Sequence, residues 1–413
     1  MSDSSEATES LSIVPLPAFR EDEIQEWFDE EEELETLDAK IATPETIAEK
    51  YAKSQLRVVR ETKDYTLDYL QHALQQERYI INVAPEYQRR QRWSPKKRSQ
   101  LVESFLMNIP IPPVFLFERD YNEYEVVDGR QRLDTIREFL SNGFALTGLT
   151  YWKELNRKRF NQLPTVIQKG LLRRSLPAVV LLAETKGVSE DDLDVRTVLF
   201  DRLNTGGEKL NPQELRNALF PGLFNKMLIE IARSDEFTSV WGIPKKSTDE
   251  DKKVPESLAN NTLFRTMADC ELVLRFFAIR ETLLTNARGS LRRLLDRTMH
   301  RHHDDSAAEI AELKGQYMSS LRDLAAAFDG MPFRLPQTSR PSRPLYDALM
   351  VSVSLRSVGD LIDNKDQVQL RLHQALADQD RYDILVGRGN TIDSIRARVA
   401  LASWILSGGE THD

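Results

Sequence analysis

The spacing of hydrophobic residues changes character near residue 210 of this 413-residue chain. Before that point, short apolar runs alternate with helical patterns, and the runs predict strands at 79–83, 114–117, 124–127 and 176–183. Beyond it, apolar residues recur at helical spacing, which predicts helices at 212–234, 261–285, 288–302, 307–328, 344–360, 365–378 and 391–406. The pattern indicates an α+β N-terminal domain followed by a mostly α-helical C-terminal domain.

An excess of acidic residues marks a further region at the start of the chain. The first 60 residues contain 16 acidic and 6 basic residues, whereas the net charge of the whole chain is −9. We expect a disordered acidic arm over residues 1–43, the α+β domain over 44–240 and the helical domain over 241–413. Two interpretations of the arm are open: a solubilising tail, or an acidic strip that competes with nucleic acid for a basic groove.

Composition excludes several classes of protein. The single cysteine, Cys270, cannot form an internal disulfide or a thiolate zinc site. The residues after position 60 carry almost no net charge, which excludes a protein that coats nucleic acid with a uniformly basic surface. A local basic groove is still compatible with this charge. No apolar run reaches the roughly 18–20 residues of a membrane span, and the N-terminus lacks the pattern of a secretory signal. We therefore expect a cytoplasmic protein without a membrane partner.

The segment that begins at Asp128 has the features of an anion-binding turn. A strand pattern ends there, Gly129 allows a tight turn, and Arg130, Gln131 and Arg132 begin a helix. A helix N-terminus attracts anions through its backbone N–H groups and its dipole, and arginine side chains suit phosphate oxygens. The alternative is structural: the aspartate caps the helix and pairs with an arginine.

A basic segment precedes the helix that is expected after Ser94. Residues 88–98 contain six cations and no acid, and cations at a helix N-terminus oppose the helix dipole. Binding of an anion would explain this placement, and a solvated basic surface is the alternative. We interpret Trp93 as a core anchor rather than a base-stacking platform. The candidate DNA-binding residues are Arg90, Arg92, Lys96 and Lys97.

A second cluster of potential ligands lies at residues 300–305, where three histidines stand beside two aspartates. Adjacent side chains on a helix point about 100° apart, so His302 and His303 cannot converge on one ion. No second His- or Cys-rich segment supplies further ligands. We therefore predict no metal site and expect an exposed helix end.

Four motifs occur in an order that resembles the N-terminal domain of GmrSD-type restriction proteins, within the ParB/sulfiredoxin-like fold group. They are Tyr87-Gln88-Arg89 with Trp93, Ile109-Pro110-Ile111-Pro112-Pro113, Asp128-Gly129-Arg130-Gln131-Arg132-Leu133, and Phe200 with Asn204-Thr205-Gly206, Leu210 and Glu214. The resemblance covers about residues 65–235. It implies a ParB/sulfiredoxin-like fold and nucleotide binding, coupled to DNA restriction in antiviral defence.

The resemblance also implies roles for individual residues. The catalytic group would be Asp128, Gln131 and Arg132, and the nucleotide phosphates would contact Gly129, Arg130, Gln88, Arg89 and Asn204. The implied cofactor is a nucleoside triphosphate of unspecified base, with Mg²⁺ as a candidate ion. The family box commonly has Gln at the position of Arg130, so this chain adds a charge there.

Fused members of the family end in an HNH-type nuclease domain, and residues 300–305 do not reproduce its histidine motif. The chain therefore resembles a stand-alone form that acts with a separate nuclease or effector protein. Three functions follow: an NTPase regulated by DNA, a non-catalytic module that binds nucleotide or DNA, and a ParB-like metal-dependent nuclease. The nuclease ranks last, because it needs more carboxylates than the sequence places near Asp128. Whether the nucleotide is hydrolysed is left open.

Overall fold

A computed structural model of the chain describes residues 18–36, 59–75, 80–82, 93–182, 211–247, 254–336, 340–355, 361–387 and 389–408. These residues divide into two units. The first unit consists of the described residues between 38 and 221, and the second combines those before 38 with those from 222 onward. The first described element, helix α1 (Glu21–Thr36), thus belongs to the second unit. The divisions differ from the boundaries at 43 and 240 that were expected from the sequence.

The first unit contains a five-stranded mixed sheet among its described residues. Its strands are β1 (Arg60–Thr66), β2 (Ile81–Asn82), β3 (Val114–Asp120), β4 (Glu123–Asp128) and β5 (Ser175–Leu181), in the order β1-β5-β3-β4-β2. The pairs β3–β5 and β2–β4 are parallel, whereas β1–β5 and β3–β4 are antiparallel. The strands predicted at 124–127 and 176–183 correspond to β4 and β5, and they lie on either side of β3.

Helices cover this sheet. They are α2 (Leu67–Ala73), α3 (Pro95–Leu106), α4 (Arg130–Leu140) and α5 (Thr165–Leu172), and the unit also includes α6 (Pro212–Leu219). Leu70, Phe105 and Leu133 from the first three of these helices pack in one core with Leu116 and Val180 of the sheet. Burial of this apolar surface fixes where β4 ends and α4 begins, which is the position of the predicted anion-binding turn.

Strand β1 was not predicted from the sequence. Its residues are mostly exposed or half-buried, so it lacks an alternating apolar face. Its place in the sheet comes from antiparallel pairing with β5, which joins residues more than 100 positions apart. The sequence also predicts a helix at 190–203, a segment that lies outside the described residues.

The second unit is helical in its described parts, apart from an isolated bridge between Arg334 and Pro341. Besides α1, its helices are α7 (Leu223–Ala232), α8 (Asp235–Trp241), α9 (Glu256–Ala259), α10 (Thr262–Arg265), α11 (Ala268–Thr285), α12 (Leu291–Arg301), α13 (Ala307–Ala327), α14 (Arg343–Ser354), α15 (Lys365–Ala377), α16 (Gln379–Val386) and α17 (Ile392–Ser407). Every residue of α11 from Ala268 to Ile279 is buried, as in a helix packed on all sides. The predicted α+β domain followed by a mostly helical region is confirmed.

Helix α1 corrects the expectation of a disordered arm for residues 21–36. Ile24 and Phe28 are spaced four residues apart, so they share one face of the helix, and both are buried. Acidic residues occupy most of the remaining positions, so the composition of the segment does not reveal this narrow apolar face. Within the described residues, no helix is both long and apolar enough to span a bilayer.

Candidate functional site

The predicted anion-binding turn lies where β4 meets α4. Asp128 is the last residue of β4, Gly129 is the N-cap residue of α4, and the helix begins at Arg130. No side chain caps this N-terminus, so the structural alternative in which Asp128 caps the helix does not hold. The positive end of the helix dipole is therefore not balanced by a capping carboxylate or hydroxyl.

Gly129 is required by the fold itself. Its φ of 93° lies in the left-handed region, and a Cβ atom there would stand 2.3 Å from Cγ1 of Val114 in β3. Any larger residue would therefore need both a strained backbone and a displaced strand. Packing of the turn against β3 therefore explains why residue 129 is a glycine, without a contribution from a ligand.

Both arginines of the turn are engaged within the protein. Arg132 donates from Nη2 to Oδ2 of Asp128 at 2.8 Å, and from Nη1 to the carbonyl oxygens of Pro112 and Pro113. Its guanidinium thus ties α4 to the segment that leads into β3. Arg130 makes a looser contact, with 3.5 Å between its Nε and Oδ2 of Asp134. The salt bridge of the structural alternative is therefore present, and it joins Asp128 to Arg132.

Gln131 connects the turn to the basic segment. Its Oε1 accepts a hydrogen bond from the backbone N–H of Trp93 at 3.3 Å, and the indole ring of Trp93 packs partly against the core. Nζ of Lys97 lies 4.8 Å from the centroid of that ring, within the range of a cation–π interaction. Trp93 is thus a core residue, as interpreted from the sequence, whose exposed side meets a lysine.

The two described lysines of the basic segment lie in the first turn of α3. Lys96 and Lys97 are exposed, and Oγ of Ser94 accepts the backbone N–H of Lys97 at 3.3 Å. This position suits both the DNA-binding prediction and a solvated basic surface. The other predicted site residues, Gln88, Arg89, Arg90, Arg92 and Asn204, lie outside the described residues.

Residues 68–221 match the family model described as GmrSD restriction endonuclease, N-terminal domain. This segment is therefore similar to a GmrSD N-terminal domain. The match confirms the resemblance inferred from the four motifs, and it ends at the last residue of the first unit. Comparisons with curated proteins and with solved structures give no match.

The matched segment also contains a buried acid that the sequence analysis did not single out. Glu103 accepts the backbone N–H groups of Thr150, Tyr151 and Trp152 at 2.7–3.2 Å. Burial raises the pKa of Glu103, but these three hydrogen bonds outweigh it and hold the pKa below its usual value. Glu103 therefore fixes a loop beside α3, and its partners, nearly 50 residues away, leave no local signal in the sequence.

The described residues do not fit a metal site held by the protein. No group of three or more His, Cys, Asp or Glu side chains among them is arranged to bind an ion. The carboxylate of Asp128 is paired with Arg132, so it is not available as an Mg²⁺ ligand in this conformation. No chemical step is therefore assigned to Mg²⁺.

His302, in the second unit, corrects the expectation of an exposed helix end. Its Nε2 lies 2.5 Å from Oε1 of Glu281 and its Nδ1 lies 2.5 Å from Oδ2 of Asp305. The ring also stacks on Phe224 with 4.7 Å between centroids. Burial lowers the pKa of His302, but the hydrogen bonds to both carboxylates outweigh it and raise the pKa above its usual value. Because both ring nitrogens face carboxylate oxygens, these contacts favour the protonated form of the imidazole.

Proposed function

We propose that this protein is a component of a DNA restriction or antiviral defence system and that it binds a nucleoside triphosphate at the N-terminus of α4. The matched family model supports the first part, because its description is that of a restriction endonuclease domain. One observation carries the second part: within the matched domain, α4 begins directly after β4 with no side-chain cap. Such an N-terminus favours phosphate oxygens.

Arg130 is the side chain best placed to contact the phosphates. It stands at the first position of α4, and its 3.5 Å contact with Asp134 is a loose ion pair that a phosphate group can replace with a shorter, bidentate one. Gln131 links the site to Trp93 through its side-chain oxygen. Arg132 acts as a positioning residue, because its guanidinium holds Asp128 and the Pro112–Pro113 segment in place.

The proposal has two forms. In the first, the protein hydrolyses the bound nucleotide; in the second, it binds the nucleotide without catalysis and controls a separate effector. The ion pair between Asp128 and Arg132 favours the second form, since it leaves neither group ready to act on a phosphate or a water molecule. The metal-dependent nuclease has no support among the described residues, which contain no cluster of carboxylates suited to a metal.

The deciding experiment measures phosphate release by the full-length protein with ATP, GTP, CTP and UTP, with and without duplex DNA. The test variant is Arg130→Ala and the matched control is Arg137→Ala. Both arginines pair with Asp134, but Arg137 lies in the last turn of α4, away from the N-terminus. If the protein releases phosphate, we expect Arg130→Ala to lower the rate at least about tenfold, the equivalent of about 1.4 kcal/mol, and Arg137→Ala to leave it nearly unchanged.

Each other outcome has a definite meaning. Nucleotide that raises the unfolding temperature without any release, an effect lost in Arg130→Ala, would support the binding module. An equal loss in both variants would assign the effect to Asp134 rather than to the helix N-terminus. Neither release nor protection by any of the four nucleotides would contradict nucleotide binding.

A further inference from the structure

Helix α1 lies against a row of arginines in the second unit. Near its start, Oε2 of Glu21 accepts a hydrogen bond from Nη2 of Arg265 at 2.7 Å. Two residues further along the helix, both carboxylate oxygens of Glu23 accept hydrogen bonds from Nη1 of Arg340 at 2.9 Å. The guanidinium of Arg340 also lies 5.7 Å from the ring centroid of Phe19, just before the helix. Carboxylates of α1 thus pair with successive guanidinium groups along this surface.

The contacts between α1 and the arginines are more buried toward the middle of the helix. Glu30 forms an ion pair with Arg343, whose side chain is only 4 % exposed, and also accepts a hydrogen bond from Nδ2 of Asn390 at 2.9 Å. Arg343 donates in addition to the backbone carbonyl of Trp27 and lies 4.9 Å from the centroid of the indole ring. Glu30 of α1 thus supplies a counter-charge to this almost fully buried arginine.

Two further arginines stand behind this layer. Arg275 is paired with Asp347, and both side chains are almost fully buried. Arg398 is equally buried, donates to backbone carbonyl oxygens of the 384–389 segment, and has no partner for Nη1 among the described residues. Burial and the like charge of Arg275 lower the pKa of Arg343, whereas Glu30 is the leading opposite charge. Without α1, this cluster would hold an excess of positive charge.

We infer that the arginine groove under α1, formed by Arg265, Arg340, Arg343 and Asn390, is a binding site for the phosphate backbone of nucleic acid, which α1 covers. Guanidinium groups pair with phosphodiester oxygens through the same donors that hold the carboxylates of α1. The buried Nη1 of Arg398 is a donor that the protein itself leaves unused. The acidic helix thus acts as an internal competitor, which agrees with the second of the two interpretations of the acidic segment.

The apolar side of α1 makes this cover stable. Ile24 and Phe28 are buried in the second unit, so neutralising the ion pairs weakens the cover without removing its anchor. Charge variants are therefore preferable to deletion of the helix, which would expose this apolar surface and could unfold the unit. The groove lies in the second unit, and its test requires no nucleotide, so its outcome is independent of nucleotide binding at α4.

The experiment measures binding of a fluorescein-labelled duplex DNA of about 30 base pairs to the full chain, by anisotropy at several salt concentrations. The test variant is Glu23→Gln with Glu30→Gln, which removes two carboxylates that face arginines. The control is Asp22→Asn with Asp29→Asn, which removes two charges from the exposed side of the same helix. We expect at least about tenfold tighter binding in the test variant, a steeper salt dependence, and less than about a twofold change in the control.

Further variants keep the test decisive. If the double variant does not fold, as judged by circular dichroism, Glu23→Gln alone is used, because Glu23 and Arg340 are both partly exposed; about threefold tighter binding is expected. Adding Arg340→Gln to the variant should cancel the gain. Equal gains in the test and control variants would point to overall charge, and no gain in any variant would show that the groove does not bind DNA; either result overturns the inference.

Discussion

The two arginine clusters of this protein differ in where their counter-charges come from. In the first unit, Arg130 and Arg132 pair with carboxylates four residues away, and these side chains are partly exposed. In the second unit, Arg275 and Arg343 are almost fully buried and pair with carboxylates 72 and 313 positions away in the chain. Local, partly exposed pairs can open for a ligand at little cost, whereas the pair of Arg275 and Asp347, in which both side chains are almost fully buried, holds the fold together.

The sharpest test of this difference removes one carboxylate from each cluster. We expect Asp347→Ala to lower the free energy of unfolding by about 3–5 kcal/mol, because it leaves the buried Arg275 without its counter-charge. Asp128→Ala should cost only about 1 kcal/mol, since Arg132 keeps its contacts with two carbonyl oxygens and is near solvent. Urea denaturation followed by circular dichroism measures both values. Similar losses in the two variants would contradict the distinction.

The turn before α4 offers a test of rigidity rather than charge. Gly129→Ala should lower the free energy of unfolding by about 2–4 kcal/mol, because the new Cβ would clash with Val114 at a positive φ. Gly170→Ala is the matched control: its Cβ would meet nothing within 4 Å in helix α5, and alanine favours a helix by up to about 1 kcal/mol. Thermal unfolding compares the two, and an unchanged midpoint for Gly129→Ala would disprove the packing explanation.

The charge on His302 makes the stability of the second unit depend on pH. The raised pKa means that the folded state keeps this proton after the unfolded state has lost it, so stability is full below about pH 6.5 and falls as pH rises through the folded pKa. His302→Gln should flatten this dependence and cost about 1–3 kcal/mol at pH 6. Unfolding from pH 5.5 to 8.5 provides the measurement, with the exposed His373→Gln as control. A decline that persists unchanged in His302→Gln would assign it to other groups.

Much of the first unit could be predicted because its signals are local. The strands β3, β4 and β5 carry short runs rich in apolar residues, and Gly129 with the following arginines marks the start of α4 within a few residues. The four motifs that resemble the GmrSD family are also local, and the matched segment confirms them. The exposed polar strand β1 was missed because only its pairing with β5 makes it a strand.

In the second unit, local sequence patterns predicted the helical character but not all of the individual helices. Its helical character was correct, but the predicted helix at 212–234 is divided between α6 and α7, and the short helices α8 and α16 were missed. The acidic segment was expected to be disordered because its composition is dominated by like charges. Its helix forms against arginines and apolar surface supplied by residues more than 200 positions away, which composition cannot reveal.

The amino-acid sequence by itself determined the fold class, the place of the turn from β4 to α4, and the family of the segment that contains it. These depend on hydrophobic period and on residues within one turn of each other, which the order of the chain specifies directly. Tertiary structure alone decided which charges are neutralised: Asp128 by Arg132, Glu30 by Arg343, and His302 by two carboxylates. The reason is physical, because the strength and the role of an ion pair depend on its burial and its partners, and both are set when distant segments pack together.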